Sequence, residues 1–270
     1  VKYDSQEQVY MKMFEELDAA IEVFSDNAGL VATSWATYDY VYYGNMGQWA
    51  KYANSLKLRM AMRLSYVEPE LAKAKAAEAI AGGVIRYNAD NAYMHPVENR
   101  MTLIYNDWAD HRVGADIVNY MNGYKDPRRE KMLLPNEDGV YAGIRIGSDI
   151  SSKTAAVAKY SNLVVASDTP VLWLNAAEVS FLMAEYELRW GSETSARQYY
   201  EEGIRLSFEE KGASGADKYI ADAESTPETY RDLLGGYSVD KKQSDITIAW
   251  ESEGEFDRNL ERIITQKWIA

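Results

Sequence analysis

The sequence contains no cysteine, and histidine is nearly absent. Without cysteine the chain forms no disulfide, has no thiol nucleophile and offers no thiolate to a metal. The two histidines, His95 and His111, are not spaced as metal ligands, and we interpret each as a structural or surface residue. We therefore expect no metal site and no cofactor.

Long apolar runs and an excess of positive charge are also missing. No run approaches the ~20 apolar residues that a membrane helix needs. Lysine and arginine number 29 against 42 aspartates and glutamates, which gives a formal net charge of −13. Because phosphates would be repelled, this charge argues against nucleic acid as a partner and disfavours an anionic membrane surface.

Phenylalanine is rare among the aromatic residues, with 5 against 21 tyrosines and 7 tryptophans. Tyrosine and tryptophan combine an apolar face with a hydrogen-bonding tip, which suits an interface or a polar ligand. The loop candidates are Trp35, Tyr38, Tyr40, Tyr42, Tyr43, Tyr105, Trp108, Tyr141 and Tyr160. Flat rings stack on the apolar faces of sugars, although any single ring could instead cover the end of a helix.

Apolar residues recur at steps of three and four, which predicts a mainly α fold. Ser5 with Gln8 forms a capping-box pattern for a first helix that ends near 27–29. The further predicted helices are Trp49–Val67, Pro69–Ala81, Val171–Trp190, Glu193–Lys211 and Arg258–Ala270, with short ones at Ala115–Met121 and from Thr226 to Gly235. Short links make antiparallel hairpins of about 48–83 and 171–211.

Small residues on these hairpins follow the tetratricopeptide pattern, in which they let neighbouring helices approach. The positions are Ala72, Ala76 and Ala79 in one hairpin and Ala184, Ala196, Tyr200 and Gly203 in the other, while Met60 departs from the pattern. The region of about 86–168 is loop-rich, with a strand or extended loop at 139–147 and loop at 148–168. A further loop is predicted at 213–222. We expect one domain, 1–270.

Catalytic motifs are scarce. The sequence has no nucleophile elbow, phosphate loop, dinucleotide fingerprint or calcium loop of the usual spacing. A glycosidase needs only two carboxylates across a cleft, and spacing alone does not exclude such a pair among so many. We expect a protein that is not an enzyme; the alternatives are an all-helical glycosidase and a helical-repeat adaptor that binds another protein.

Six ordered segments together resemble the SusD-like (SusD/RagB) family of outer-membrane nutrient-binding lipoproteins. They are Asp39-x-x-x-Tyr43-Gly44-Asn45 with Trp49–Arg59, then Asp126-Pro127-Arg128, Tyr141-x-Gly143, Ala177–Glu185, Tyr200–Ser207 and Ile264–Ile269. Asn45 stands where the family usually has Asp. The lipid-bearing cysteine is absent, and members are commonly longer, so we expect this chain to be a fragment of a longer one.

The resemblance implies tetratricopeptide-like hairpins packed against a loop-rich region. It also implies a lipid-anchored protein on the outer-membrane surface of a Gram-negative bacterium, attached only through an N-terminal lipid that this chain lacks. Such a protein captures glycans, or peptides in some relatives, and delivers them to a SusC-like TonB-dependent transporter. The matched motifs occur in members with different ligands, so we expect them to be scaffold. The ligand-binding candidates are Trp35, Tyr38, Tyr105, Trp108 and Tyr160.

Overall fold

A computed structural model describes residues 3–270. Helices make up about half of the chain and the strands are short, so the fold is mainly α as predicted. The helices are α1 (Gln6–Asp26), α2 (Met46–Arg63), α3 (Pro69–Gly82), α4 (Ala115–Gly123), α5 (Arg129–Met132), α6 (Lys153–Lys159), α7 (Ala176–Trp190), α8 (Glu193–Glu210), α9 (Ala216–Ile220) and α10 (Phe256–Ile269). The strands are β1 (Ala92–Met94), β2 (Leu133–Leu134), β3 (Asn162–Leu163) and β4 (Val171–Leu174).

The chain divides into two compact units, each built from two separate segments. The first unit contains residues up to 96 and residues 170–206, and the second contains residues 97–169 and 207–270. Both helical hairpins lie largely in the first unit. The predicted loop-rich region lies mostly in the second unit, together with the C-terminal segment. The prediction of a single domain stays a prediction.

The first unit begins with α1, which has the predicted cap. The Ser5 hydroxyl accepts a hydrogen bond from the Gln8 N–H at 3.2 Å, and the Gln8 side chain accepts one from the Ser5 N–H at 3.0 Å. This capping box satisfies two backbone donors that a helix start otherwise leaves unpaired. Asn27 follows the last helical residue, as the sequence indicates.

The first hairpin, α2 with α3, starts earlier than the predicted Trp49. Asn45 is the N-cap of α2, because its side-chain oxygen accepts a hydrogen bond from the Gln48 N–H at 3.1 Å. Ala72, Ala76 and Ala79 on α3 are fully buried. Small side chains at these positions therefore do bring α3 close to its neighbours, as predicted.

The second hairpin, α7 with α8, corrects the sequence prediction at its first turn. Residues Val171–Leu174 are not helical but form β4, which pairs antiparallel with β1. Asn175 ends the strand and caps α7, accepting the Glu178 N–H at 2.8 Å. On α8, Gly203 lies against Phe181, and a Cβ added at Gly203 would lie 2.8 Å from that ring. Only glycine allows α8 to approach Phe181 this closely, and the close packing compensates for the low helix propensity of glycine.

Four charged side chains connect α1, α2 and α3. The Lys57 side chain is 7% exposed, and its Nζ lies 2.6 Å from an Asp18 oxygen and 2.8 Å from a Glu78 oxygen. Lys75 pairs with the same two carboxylates at 3.2 and 3.0 Å. Burial raises the pKa of Asp18, but the two lysines outweigh it and the net pKa is lowered; the same lysines lower the pKa of Glu78.

The second unit differs from the sequence prediction at several loops. Residues predicted as loop contain α6 and β3 within 148–168 and α9 within 213–222, whereas 139–147 forms only a single bridge, between Ile144 and Gly114. The predicted helix from Thr226 is absent. The Glu228 N–H instead donates to the Asn119 carbonyl at 3.1 Å, which holds this stretch against α4.

A fully buried arginine joins distant segments of the second unit. Both carboxylate oxygens of Asp126 accept hydrogen bonds from Arg128, at 3.0 and 2.6 Å. The same guanidinium donates to Ser207, Tyr219 and Gln266 at 2.9, 3.2 and 3.0 Å. Its donors are thus shared among side chains from α8, α9 and α10, and its carbon Cζ also lies 4.8 Å from the centroid of the Phe208 ring.

We expect the Asp18 and Glu78 carboxylates to stabilise the folded protein at neutral pH and to lose this contribution in acid. A carboxyl whose pKa is lower in the folded state contributes stability above its unfolded pKa and loses it as the pH falls through the folded value. The free energy of unfolding, measured by urea denaturation at pH 7 and pH 3, should therefore change less with pH in an Asp18→Asn/Glu78→Gln variant than in the wild type. Glu15→Gln/Glu16→Gln, which alters two exposed carboxylates on α1, is the matched control and should retain the wild-type pH dependence.

We expect Arg128→Lys to lower the free energy of unfolding by about 3–5 kcal/mol, because an ammonium cannot replace the planar donor set and leaves buried acceptors unpaired. Urea denaturation measures the change. Arg231→Gln is the control: Arg231 pairs with Asp240 while its side chain is 67% exposed, so the loss there should be about 0.5 kcal/mol or less. Equal effects of the two substitutions would contradict the structural role of Arg128.

Candidate functional site

The aromatic loop at 33–44 in the first unit is organised by the Asp39 carboxylate. One oxygen accepts the backbone N–H groups of Val41 and Tyr42 at 3.0 and 3.1 Å. The other accepts the Gly44 N–H at 2.8 Å and the Trp49 indole N–H at 2.7 Å. Burial raises the pKa of Asp39, but these donors outweigh burial and hold the pKa below its ordinary value.

The ends of this loop are closed by backbone hydrogen bonds. The Ala32 N–H donates to the Gly44 carbonyl at 2.9 Å, and the Met46 N–H donates to the Leu30 carbonyl at 3.2 Å. Gly44 has φ +84, and a Cβ there would lie 2.6 Å from the Ala32 carbonyl oxygen. This position therefore requires glycine.

Aromatic rings continue from the loop along α2. Trp49 stacks on Phe24 with ring centroids 6.2 Å apart, and it meets Tyr42 and Tyr52 edge to face at 5.2 and 5.5 Å. Tyr52 in turn lies 6.2 Å from Trp173 on β4. The edge-to-face arrangement is a favourable geometry for aromatic pairs.

These rings border a groove of about 560 Å³, which we call the aromatic groove. Its lining residues are Phe24, Trp35, Tyr38, Asp39, Tyr40, Val41, Gly44, Met46, Trp49, Met94 and Trp173. The predicted residues Trp35 and Tyr38 both line this groove, and their exposed fractions are 66% and 82%. Asp39 is the only charged residue in this lining, and its oxygens are already occupied.

The sequence prediction missed Trp173 as a groove residue, because it assigned Val171–Leu174 to a helix. The stretch has the short apolar run of a strand, bounded by Pro170 and Asn175, and this signal favours a strand. In β4 the side chain of Trp173 is partly exposed and lies on the groove.

The predicted pair Tyr105 and Trp108 lies in the second unit, where Tyr105 is within a π-helical turn at Leu103–Asp107 and Trp108 follows it. The Trp108 N–H donates to the Leu103 carbonyl at 2.7 Å, which closes the turn. The next residue, Ala109, has φ +53, an uncommon conformation for a residue with a Cβ. Trp108 is 57% exposed. We call residues 103–112 the aromatic turn.

Polar side chains surround the aromatic turn. The Asn162 amide donates to the Tyr105 carbonyl at 3.1 Å and to the Asn106 side chain at 3.2 Å. The His111 ring lies 5.9 Å from the Tyr105 ring. Lys153 pairs with Asp110 at 2.5 Å. Exposed rings and hydrogen-bonding groups thus occur together within one short segment and its neighbours.

Tyr160 does not fit its predicted role as a ligand contact. It follows α6 and is only 2% exposed, and its hydroxyl donates to the Asp232 carboxylate. Burial, together with the hydrogen bond to Asp232, raises the pKa of Tyr160. The ring has no free face for a ligand because Tyr160 belongs to the core of the second unit.

The residues described, 3–270, include no group of three or more His, Asp or Glu side chains arranged to hold a metal ion. Over the same range, every helix is too short or too polar to cross a membrane.

Over residues 1–270 the chain matches the family described as "Susd and RagB outer membrane lipoprotein". The chain belongs to the SusD-like family. The resemblance predicted from the ordered motifs is thereby confirmed. No curated protein matches the chain.

Solved structures of SusD homologues share the fold of this SusD-like chain. A homologue from Bacteroides thetaiotaomicron VPI-5482 is 45% identical with a TM-score of 0.95, and one from Bacteroides uniformis ATCC 8492 is 41% identical with a TM-score of 0.93. A chitin-binding homologue from Flavobacterium johnsoniae is 37% identical with a TM-score of 0.91. Each comparison covers 100% of this chain and 58% of the other, so the chain spans less than two thirds of these relatives.

The residues that carry the SusD-like motifs have structural contacts. Asp39 holds the loop, Arg128 holds the second unit, and Arg59 forms two hydrogen bonds of 2.7 Å with Glu178 on α7. Asn45 replaces the aspartate that is usual in the family, and Asn and Asp are both favoured at the N-cap position that it occupies. These contacts agree with the expectation that the motifs are scaffold.

We expect Asp39→Asn to loosen the loop at 33–44. The amide keeps the size of the carboxylate but turns one acceptor into a donor, which would face the N–H groups of Gly44 and Trp49. Amide exchange of Val41, Tyr42 and Gly44, followed by NMR, should accelerate at least about tenfold, since hydrogen bonds to charged groups contribute about 1.5–3 kcal/mol. Unchanged exchange, with the Trp49 indole resonance unmoved, would show that the carboxylate does not hold the loop.

Proposed function

We propose that this chain is the glycan-binding part of a non-catalytic surface protein that captures an oligosaccharide for import. The observation that carries the proposal is the aromatic turn, where the exposed ring of Trp108 and the half-buried ring of Tyr105 lie among amide, imidazole and charged side chains. Flat rings bind the apolar faces of sugars, and the neighbouring polar groups supply donors and acceptors for hydroxyls.

Family membership supports the same function. The family is described as outer-membrane lipoproteins, and one structural relative with 37% identity is a chitin-binding homologue. By analogy with the family, the protein would sit on the surface of the outer membrane, held by an N-terminal lipid, and pass its ligand to a SusC-like TonB-dependent transporter. That placement rests on the family alone.

The aromatic groove favours a second candidate function, capture of a peptide. Its lining is dominated by Trp, Tyr, Phe and Met, and the Asp39 carboxylate has no free acceptor for a sugar hydroxyl. Apolar side chains of a peptide would suit this lining better than a hydroxylated ring does. Trp35 and Tyr38 remain proposed contacts for either ligand.

Binding of a glycan panel tests the proposed function. We expect at least one oligosaccharide to bind in isothermal titration calorimetry, and Trp108→Ala to weaken that binding about tenfold or more, the loss expected when a central aromatic contact is truncated. Tyr87→Ala is the matched control. Tyr87 is 69% exposed but lies outside both surfaces, so its substitution should leave the affinity unchanged.

Three results would contradict the proposal in different ways. Binding of peptides with no response to any oligosaccharide would favour the peptide candidate, and Trp35→Ala should then weaken the peptide. Steady release of reducing sugar, abolished by one carboxylate substitution, would indicate a glycosidase. A co-purifying soluble protein, in place of a transporter, would indicate the adaptor alternative.

A further inference from the structure

Arg112, at the end of the aromatic turn, is a half-buried cation without a counterion among the residues that the structure describes. Its Nη1 donates to two backbone carbonyls, those of His111 at 2.6 Å and Tyr105 at 3.4 Å. Its Nε is buried and has no hydrogen-bond partner. Within residues 3–270 its Nη2 has no partner either, so donors of this guanidinium remain unused.

Carboxylates pair with the other arginines that are similarly buried. Arg59 pairs with Glu178 at 2.7 Å, and Arg86 pairs with Glu202 at 2.9 Å. Among residues 3–270, Arg112 forms no ion pair with a carboxylate. Asp110 is the nearest acid to Arg112 along the chain, and it is paired with Lys153 instead.

Burial without a compensating charge is unfavourable for a cation. It lowers the pKa of Arg112 below the ordinary value, and burial is the one cause of that shift. An anionic oxygen placed at Nη2 would reduce this cost, because hydrogen bonds between charged groups are stronger than those between neutral groups. Such an oxygen would lie beside Tyr105, whose carbonyl Arg112 already contacts.

We propose that the oligosaccharide bound at the aromatic turn carries an anionic group, the carboxylate of a uronic acid or a sulfate ester, and that Arg112 binds this group. The inference rests on the proposed function and adds the class of sugar. The formal net charge of −13 opposes an acidic ligand at long range. Screening limits that repulsion to about 8 Å at physiological ionic strength, whereas direct contact with Arg112 is screened much less.

The test compares three oligosaccharides of matched length, one neutral, one containing uronic acid and one carrying sulfate esters. Their binding to the full chain is measured by calorimetry at about 0.15 M salt. We expect the uronate or the sulfated ligand to bind about tenfold or more tightly than the neutral one. Which of the two binds more tightly identifies the source of the anionic oxygen.

The variants assign the preference to Arg112. Arg112→Gln should abolish the preference for the acidic ligand over the neutral one, and Arg112→Lys should retain part of it. Arg231→Gln changes the net charge equally but lies in a solvent-exposed pair with Asp240, so it should keep the full preference. Thermal melts check that every variant is folded. The comparison of the three ligands on the wild type tests the inference even if a variant fails to fold.

The outcomes separate this inference from the proposed function. Equal binding of neutral and acidic ligands by the wild type would overturn the inference and leave glycan binding intact. A preference that survives Arg112→Gln, or that disappears in Arg231→Gln as well, would overturn the role of Arg112. Failure of every oligosaccharide to bind would overturn the proposed function, and the inference with it.

Discussion

A buried charge must be paired, and this requirement fixes the positions of backbone segments that are far apart in the sequence. Lys57 takes carboxylates from α1 and α3, and Arg128 takes acceptors from α8, α9 and α10. Removing one partner from such a group is costly, so each group restricts several elements at once. Asp39 does the same for a loop, where it collects backbone donors and one indole N–H.

The saturated groups and the exposed rings therefore have different roles. Asp39, Arg59 and Arg128 use their polar atoms within the protein, which leaves them little capacity for a ligand. Trp35 and Trp108 project from loops supported by this framework. The framework thus fixes the positions of these loops and leaves their exposed rings available for contacts outside the chain.

Local signals in the sequence predicted the helices well, and contacts between distant residues explain the errors. The capping box of Ser5 and Gln8 depends only on neighbours along the chain. Strand β4 has a local signal in its short apolar run, but no local pattern reveals its partner strand, β1. The predicted helix from Thr226 has good local start signals, but the contact of Glu228 with α4 outweighs them.

The candidate sites show the same division. The clustering of Trp35 with Tyr38 and of Tyr105 with Trp108 is visible in the sequence, since each pair is close along the chain. Tyr160 is buried and its hydroxyl donates to Asp232, which is distant in the sequence, and the contribution of Trp173 to the aromatic groove depends on strand pairing. Arg112 could not be recognised in advance, because its distinguishing property is that no described carboxylate pairs with it, and pairing depends on the fold.

The π-helical turn at Leu103–Asp107 means that a deletion could change the direction of the side chains in the aromatic turn. A π turn holds an additional residue relative to an α-helix. Loss of one residue there would restore the α-helical repeat and change the direction of the side chains at the end of the turn by about 100° around its axis. A single-codon deletion could thus turn Trp108 away from solvent, or bring a different side chain into its place, while the buried charge pairs remain intact. The direction of this exposed ring could therefore change in one step, without any substitution in the framework.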